Sequence, residues 1–519
     1  MSVANRVIKN TGFLYAKMGI TIFISLYTTR LILNALGAED YGIFNVVGGA
    51  IAMLGFLHVA MASATQRFMS YSEGEGNQNK QKSIFNISII LHVSIAIIVA
   101  LALLIAGYFF FNGGLNIPTE RINAAKSIYY FMIVSTAITI IGVPYEAVLN
   151  AHENMLYFSI VGVLESILKL IVAITVVYTL KDKLVVYGVL MAGVASLSTL
   201  LMGTYCHKMY SECSFHPLRY WNKHLMLSMT KFAGWNFLVV SSSMISQYGL
   251  SIVLNNFWGT ILNAAQGIAN QISGQLMAFS NTMMTALNPV IAKSAGSGQR
   301  NMMLTASMTG AKFSFLLLAF FAVPFIIEAP FILGFWLKEV PEWAILFTRL
   351  QLLRSLTEQL TVMISGTISA HGDIKKYSIA KSVLNILPII LTIILFMLGY
   401  PPYYLYITWI SCWGILGGIT ILYFSNRNCG LSYKEYLSKV FLPALVSLSI
   451  MGLAGAIPLA LMDQGFMRLI TISAFTSAAF VTTYFALFVT NDEKNILTSI
   501  WSVIKVKLFG RKINIDSIT

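Results

Sequence analysis

The chain has 519 residues, of which 57% are hydrophobic and only 10% charged, with a mean hydropathy of +0.74 and a formal net charge of +14. Soluble domains carry about 25% charged residues, so the composition excludes a soluble fold. A basic balance of this size suggests nucleic acid in a soluble protein, but in a membrane chain Lys and Arg collect in cytoplasmic loops as topology signals, and no nucleic-acid partner is expected.

Apolar runs long enough to cross a hydrocarbon core of about 30 Å recur along nearly the whole chain. The basic start "MSVANRVIKN" leads into a first run, Gly12 to about Leu36, that is too long for a signal-peptide core and is closed by no A-x-A site. Spans are predicted at 12–36, 41–65, 84–111, 125–148, 157–180 and 184–206, then at 232–256, 263–290, 309–335, 344–370, 377–399 and 403–424, with a last pair at 442–463 and 468–489. The expected fold is an all-α polytopic membrane protein of 14 transmembrane helices. Past the last span, Ile496, Ile500, Ile504 and Leu508 recur at helical spacing among Lys and Arg, which fits either a short interfacial helix on an anionic leaflet or a frayed tail.

Sorting Lys and Arg by connection sets the orientation. The N-terminus, the even-numbered loops and the tail take most of them, including Arg67, Lys312 and Lys381, whereas the odd-numbered loops hold Arg121, Lys126, Lys181, Lys183, Lys338 and Arg468. Both termini are therefore expected on the cytoplasmic side. The four cysteines, Cys206, Cys213, Cys412 and Cys429, form no C-x-x-C motif and read as unpaired thiols at or near that side.

Internal echoes run through the chain. "NAHENMLYFSI" at 150–160 returns as "SAHGDIKKYSI" at 369–379 with an offset of 219 residues, and "SYSEGEGNQN" at 70–79 aligns with "AKSAGSGQRN" at 292–301 with an offset of 222. "LILN" at 31–34 likewise matches "IVLN" at 252–255. An offset of six spans means two parallel six-helix repeats related by an axis along the membrane normal, with a substrate path between them. The implied units are an N-terminal half at 1–220, a C-terminal half at 221–430, two additional helices at 431–490 and a basic cytoplasmic tail at 491–519. His152 and His371 hold equivalent places in the first echo, which favours a turn or gate role for them over metal or proton chemistry.

Charges at bilayer depth cost about 2.5–3.5 kcal/mol each on insertion scales and so mark cavities or partners. Here they are Lys17, Arg30, Lys169, Arg349 and Arg354 against Glu146, Glu165, Glu328 and Glu358. Glu165 with Lys169, and Arg354 with Glu358, are spaced to pair on one helix face. Lys17, Arg30 and Arg349 have no such partner, and either snorkel or present cations to an anionic headgroup. Pro144, Pro289, Pro324, Pro388 and Pro458 fall inside spans as candidate bending points. No Walker loop, G-x-S-x-G or H-E-x-x-H is present, so neither direct ATP use nor an enzymatic function is expected.

The segment "LILNALGAEDYGIFNVVGG", the "VPYEAVLNAHENMLYFSIVGVLESILKL" loop and the span layout resemble the Wzx-type polysaccharide flippases. These belong to the superfamily that also holds the lipid II flippase MurJ and the MATE drug exporters. The resemblance implies alternating-access transfer of undecaprenyl-diphosphate-linked oligosaccharide to the periplasmic leaflet of a bacterial inner membrane. It implies no ATP hydrolysis and no bound cofactor, with the sodium or proton gradient or the membrane potential as an energy source, and lipids and other polysaccharide-assembly proteins as partners. Lys17, Arg30, Arg349 and Arg354 are the expected diphosphate contacts; Glu165, Lys169, Glu358 and Glu146 are expected charge pairs or coupling groups. A MATE-like exporter of organic cations is the alternative, and would turn on Glu165, Glu358 and Glu146. A polymerase or glycosyltransferase would need longer outer loops than the stretch from Asn112 to Ala124.

Overall fold

The computed structural model describes residues 3–53, 55–114, 118–337 and 339–488, which excludes Lys338 and the helix expected after residue 490. Among these residues the structure is all-helical, without a strand. The helices are α1 (Val3–Met53), α2 (Phe56–Glu75), α3 (Gln78–Phe109), α4 (Ile122–Ala151), α5 (Met155–Tyr178) and α6 (Lys183–Met209). After these come α7 (Lys223–Gly296), α8 (Arg300–Trp336), α9 (Ala344–His371), α10 (Lys375–Met397), α11 (Tyr404–Trp409) and α12 (Gly417–Cys429), the last two joined through a π-helical stretch, Ile410–Leu416. A short α13 (Tyr433–Tyr436) precedes α14 (Leu442–Leu461) and α15 (Phe466–Thr483). Side-chain caps start several of them: Asn77, Asn154, Asp182 and Asn222 each accept a backbone N–H of the following turn.

Eleven helices are long and apolar enough to cross a membrane, and α7 supplies two passes within one of these. Its turn is at Gly259 (φ 81°, ψ −176°), where the helix is interrupted. Ser251 Oγ donates to Gln266 Oε1 at 2.8 Å across this point. Fifteen residues would separate those atoms by about 22 Å in an uninterrupted helix, so the chain doubles back. Gly37 in α1 has nearly the same dihedrals (φ 77°, ψ 171°) and stands 222 residues earlier. A positive φ of this kind costs glycine nothing and any other residue strain. With the return pass through α2 and with α9, which are more polar, every segment predicted from sequence has its helix.

The end bearing the α2–α3, α4–α5, α6–α7, α7–α8, α9–α10 and α12–α13 connections is rich in Lys and Arg; it is the basic end, and the other is the far end. Of the five apolar cores among the described residues, three divide the bundle along this axis, a fourth packs α8 and α9 against α14 and Tyr484, and a small fifth joins Leu14, Met155 and Ala286. At the far end one core unites Ile32, Ile43, Val47, Leu103, Ile128 and Val176, all from α1–α6. A second unites Leu254, Ala265, Ala269, Phe347, Tyr406 and Trp409, all from α7–α12. Ile32, Ile43 and Val47 fall on Leu254, Ala265 and Ala269 at the 222-residue offset. At the basic end a single core mixes both sets, including Met61, Phe85, Leu149, Met229, Leu287 and Ile368. The two sets of helices therefore merge at the basic end and part toward the far end.

Several sequence-based placements change. Residues 70–75 and 292–296 are not loop but the last turns of α2 and α7, ended by glycines in the left-handed region, Gly76 (φ 68°) and Gly298 (φ 73°). Arg67, Lys312 and Lys381, counted as loop residues from the sequence, lie within α2, α8 and α10. Arg67 does so because α2 runs past the predicted span 41–65; Lys312 and Lys381 already fall near the basic ends of the predicted spans 309–335 and 377–399, where a topology count takes them with the adjoining loops.

Candidate functional site: two in-membrane charge clusters above a closed basic end

In the first half, Lys17 reaches from α1 onto α5. Its Nζ lies 3.9 Å from the centre of the Phe158 ring and beside Gly162, where a Cβ would stand 2.7 Å from the ammonium. A larger residue at 162 would displace the end of the Lys17 side chain. Glu146, Glu165 and Lys169 lie within electrostatic range of Lys17, and Lys169 Nζ pairs with Glu165 Oε1 at 2.6 Å. Arg30 stands apart: it is exposed and forms no ion pair among the described residues. From Tyr15 to Leu31 no residue of α1 is fully buried. A helix without a buried face over more than four turns has lipid on one side and the gap between the halves on the other.

In the second half, Arg354 is buried on α9 and donates to Glu358 Oε1 at 2.6 Å and to Gln351 Oε1 at 3.3 Å. Its guanidinium lies 4.2 Å from the Trp409 ring centre and 5.6 Å from that of Trp413. Lys381, which sequence reasoning placed in a loop, joins this cluster from α10, with Nζ 5.8 Å from the Trp413 ring and beside Gly417. At the 219-residue offset Lys381 takes the position of Gly162. Each half therefore sets one ammonium at that level, from α1 in the first and from α10 in the second.

Arg349 does not join either cluster. Pro330 has no N–H to return to the Ile326 carbonyl four residues earlier, and α8 breaks at Glu328 (φ −94°, ψ 17°). Arg349 Nε donates to the freed Ile326 oxygen at 2.8 Å and Nη2 to Ile327 oxygen at 3.3 Å. Two of its three nitrogens are engaged in backbone repair, and Glu328, fully buried, is held by Arg468 of α15 at 2.6 and 3.2 Å. Pro330, two residues past Glu328, was the sequence signal for this break.

The basic end carries the residues that sequence reasoning missed. Gly74 and Gly296 face one another across the halves: a Cβ on Gly74 would meet the Lys293 carbonyl oxygen at 2.0 Å, and one on Gly296 the Tyr71 oxygen at 1.9 Å. Tyr71 and Lys293 are themselves 222 residues apart, so the contact is reciprocal. Lys293 Nζ reaches Glu73 at 3.2 Å and Glu153 at 3.9 Å, and Arg6 Nε reaches Glu153 at 2.7 Å. In the other direction, Arg67 of α2 donates to the last carbonyls of α9, Ser369 at 3.1 Å and Ala370 at 2.8 Å. His152 is stacked on Tyr210 at 4.1 Å and lies between Glu73 (3.4 Å) and Glu212. Burial alone would lower its pKa, but hydrogen bonds to Glu212 and Glu73 outweigh it and raise the value to about 9. The same contact, with Lys293 behind it, holds Glu73 down at about 2. His152 is a fixed cation here. His371, by contrast, is exposed at the end of α9. No group of three metal-ligating side chains occurs among the described residues.

No family model matches the sequence, and no curated protein does. Solved structures match the fold. A MOP superfamily transporter from Pyrococcus furiosus Vc1, described for the reverse polarity of its binding pocket, aligns with a TM-score of 0.69 at 14% identity, over 82% of this chain and 96% of that one. A MATE protein in its bent conformation gives 0.70 at 15%, over 82% and 95%. A multidrug resistance MATE family transporter in an outward-facing conformation gives 0.66 at 14%, over 83% and 97%. The fold is that of the MATE and MOP superfamily transporters, and the chain is a multi-pass membrane protein. At these identities the likeness speaks for architecture alone.

Proposed function

We propose that the protein is an alternating-access transporter that moves a lipid-linked oligosaccharide diphosphate across the bacterial inner membrane. The observation that carries this reading is the surplus of cations at bilayer depth. Lys169 is paired with Glu165 and Arg354 with Glu358, and Lys17 has Glu146 in range. Arg30 is left without a carboxylate, and Lys381 has in range only Glu358, which Arg354 already holds, a pattern that suits a diphosphate. Two parallel halves, at 1–220 and 221–430, are taken as the moving bodies, with the basic end on the cytoplasmic side. The merged core there and the parted cores at the far end then correspond to a state open to the periplasm.

The exporter alternative draws support from the placement of Glu146 and Glu165 beside Lys17. The two readings separate in proteoliposomes carrying a fluorescent prenyl-diphosphate oligosaccharide. The flippase reading expects leaflet transfer by the wild type and its loss in Arg30→Ala, with the variant still correctly inserted. Absence of transfer by the wild type, together with drug resistance that disappears in Glu165→Gln, would instead establish the exporter.

A further inference from the structure

Lys381 has a geometry that topology signalling does not explain. It sits six residues into α10, about 9 Å from the basic end along the helix axis. Its ammonium lies beside Gly417, which is twelve residues, or about 18 Å, from the basic end of α12. The side chain therefore reaches toward the membrane centre, the opposite of snorkelling. It forms no ion pair or hydrogen bond among the described residues; its contact there is the face of Trp413, with Glu358 and Arg354 in electrostatic range.

Apart from Glu358, which Arg354 already holds, the named polar groups around it can donate. Arg354 lies against Trp409, whose Nε1 is buried with no hydrogen-bond partner, and the Tyr406 hydroxyl one helical turn away is also buried and unpartnered. Buried donors left without acceptors each cost on the order of 1–3 kcal/mol, and such a concentration at one place points to a missing acceptor. The backbone is irregular at the same level. The stretch Ile410–Leu416 is π-helical, Gly414 admits Thr357 and Gly417 admits Lys381. π-Helical turns of this kind gather at functional sites, and irregular backbone at membrane depth belongs beside a cavity or within protein. Glu358 stands at the more open edge, with a fifth of its side chain exposed against 7% for Arg354.

We propose that Lys381, Arg354, Trp409 and Tyr406 form a phosphoryl-binding subsite in the second half, in which Glu358 holds the Arg354 guanidinium until a phosphoryl group displaces it. The inference rests on the diphosphate reading above and names the place where the headgroup is recognised. Glu358 then has a role opposite to that expected of a cation-binding carboxylate: it competes with the ligand.

The test uses the full-length protein in nanodiscs with two probes, inorganic pyrophosphate and a short-chain prenyl diphosphate, titrated by calorimetry. Lys381→Met is expected to weaken binding at least about tenfold, Lys381→Arg to restore most of it, and Glu358→Gln to tighten it about tenfold. Lys381-dependent binding of pyrophosphate supports a site that takes phosphate from any source; Lys381-dependent binding of the prenyl probe alone supports a lipid headgroup site. Unchanged affinity in Lys381→Met, or weaker binding in Glu358→Gln, overturns the subsite. If binding survives in Lys381→Met but is lost in Arg30→Ala, the subsite falls and the flippase reading stands; if the wild type binds neither probe, both fall.

Discussion

The two ends of the molecule use charge in opposite ways. At the far end, Arg121 staples elements of one half: it holds Asp40 through two bonds of 2.7 and 2.6 Å and Asp182 through bonds of 2.7 and 3.2 Å, tying the Gly37 turn to the α3–α4 and α5–α6 connections. Arg468 makes a comparable tie between α8 of the second half and α15 of the terminal pair through Glu328. At the basic end, besides ties within the first half such as Arg6 on Glu153 and His152 on Glu212, charged contacts also run between halves, with Lys293 on Glu73 and Glu153, and Arg67 on the end of α9. In the rocking motion proposed above, the far-end staples would stay intact and each of the cross-half contacts would have to break.

Breaking a staple should therefore be a stability event and not a gating one. Arg468→Met leaves Glu328, which has no exposed surface, as an uncompensated buried charge. The expected loss is about 3–5 kcal/mol, read as a large fall in melting temperature in detergent. The double variant Arg468→Met/Glu328→Gln should recover much of it, and failure to recover would locate the damage in packing and not in charge. Next in size is the reciprocal glycine contact. Gly296→Val drives carbons into the Tyr71 carbonyl, a backbone atom that cannot rotate away, at an overpacking cost of about 1–3 kcal/mol. That cost falls on the closed basic end alone, so a cysteine introduced beside Gly298 should label faster in the variant while the far-end cores stay protected.

Much of this architecture was legible in the sequence, though for uneven reasons. Span number followed from apolar length, and the repeats followed from echoes at 70–79 and 150–160. What those echoes encode was not legible. Gly74 and Gly296 read as loop glycines, and the pattern alone does not say that two copies of one helix end would meet across a pseudo-twofold axis, where any self-matching contact occurs twice. His152 offered only an isolated imidazole, because Glu73, Glu212 and Lys293 come from three other segments. Pairing at i,i+4 was readable because helical geometry fixes it, as Glu165–Lys169 and Arg354–Glu358 illustrate. Arg349 was misleading because its partner is a carbonyl released by a proline some twenty residues upstream, and Lys381 was misleading because a lysine in the first turns of a span counts as a topology signal, whereas its side chain turns inward to Trp413 and Gly417.

The smallest expected effect is also the most specific to the basic end. His152 has a folded pKa of about 9 against an ordinary value of 6.5, so its contribution is complete below about pH 6.5 and is lost as pH rises through 9. Linkage puts the loss between pH 7 and pH 9 at about 2 kcal/mol. The groups facing the ring are Glu73 and Glu212, with Lys293 behind Glu73 and with Glu153 and Arg6 next in the network. Deprotonation leaves Glu212, 5% exposed, as a buried carboxylate beside a neutral ring. The measurement is the difference in thermal stability between wild type and His152→Asn across that range, which removes the titration of surface lysines common to both. A gap that is widest near neutral pH and closes toward pH 9 is expected; a gap constant with pH would mean that the imidazole acts by stacking on Tyr210 and carries no fixed charge.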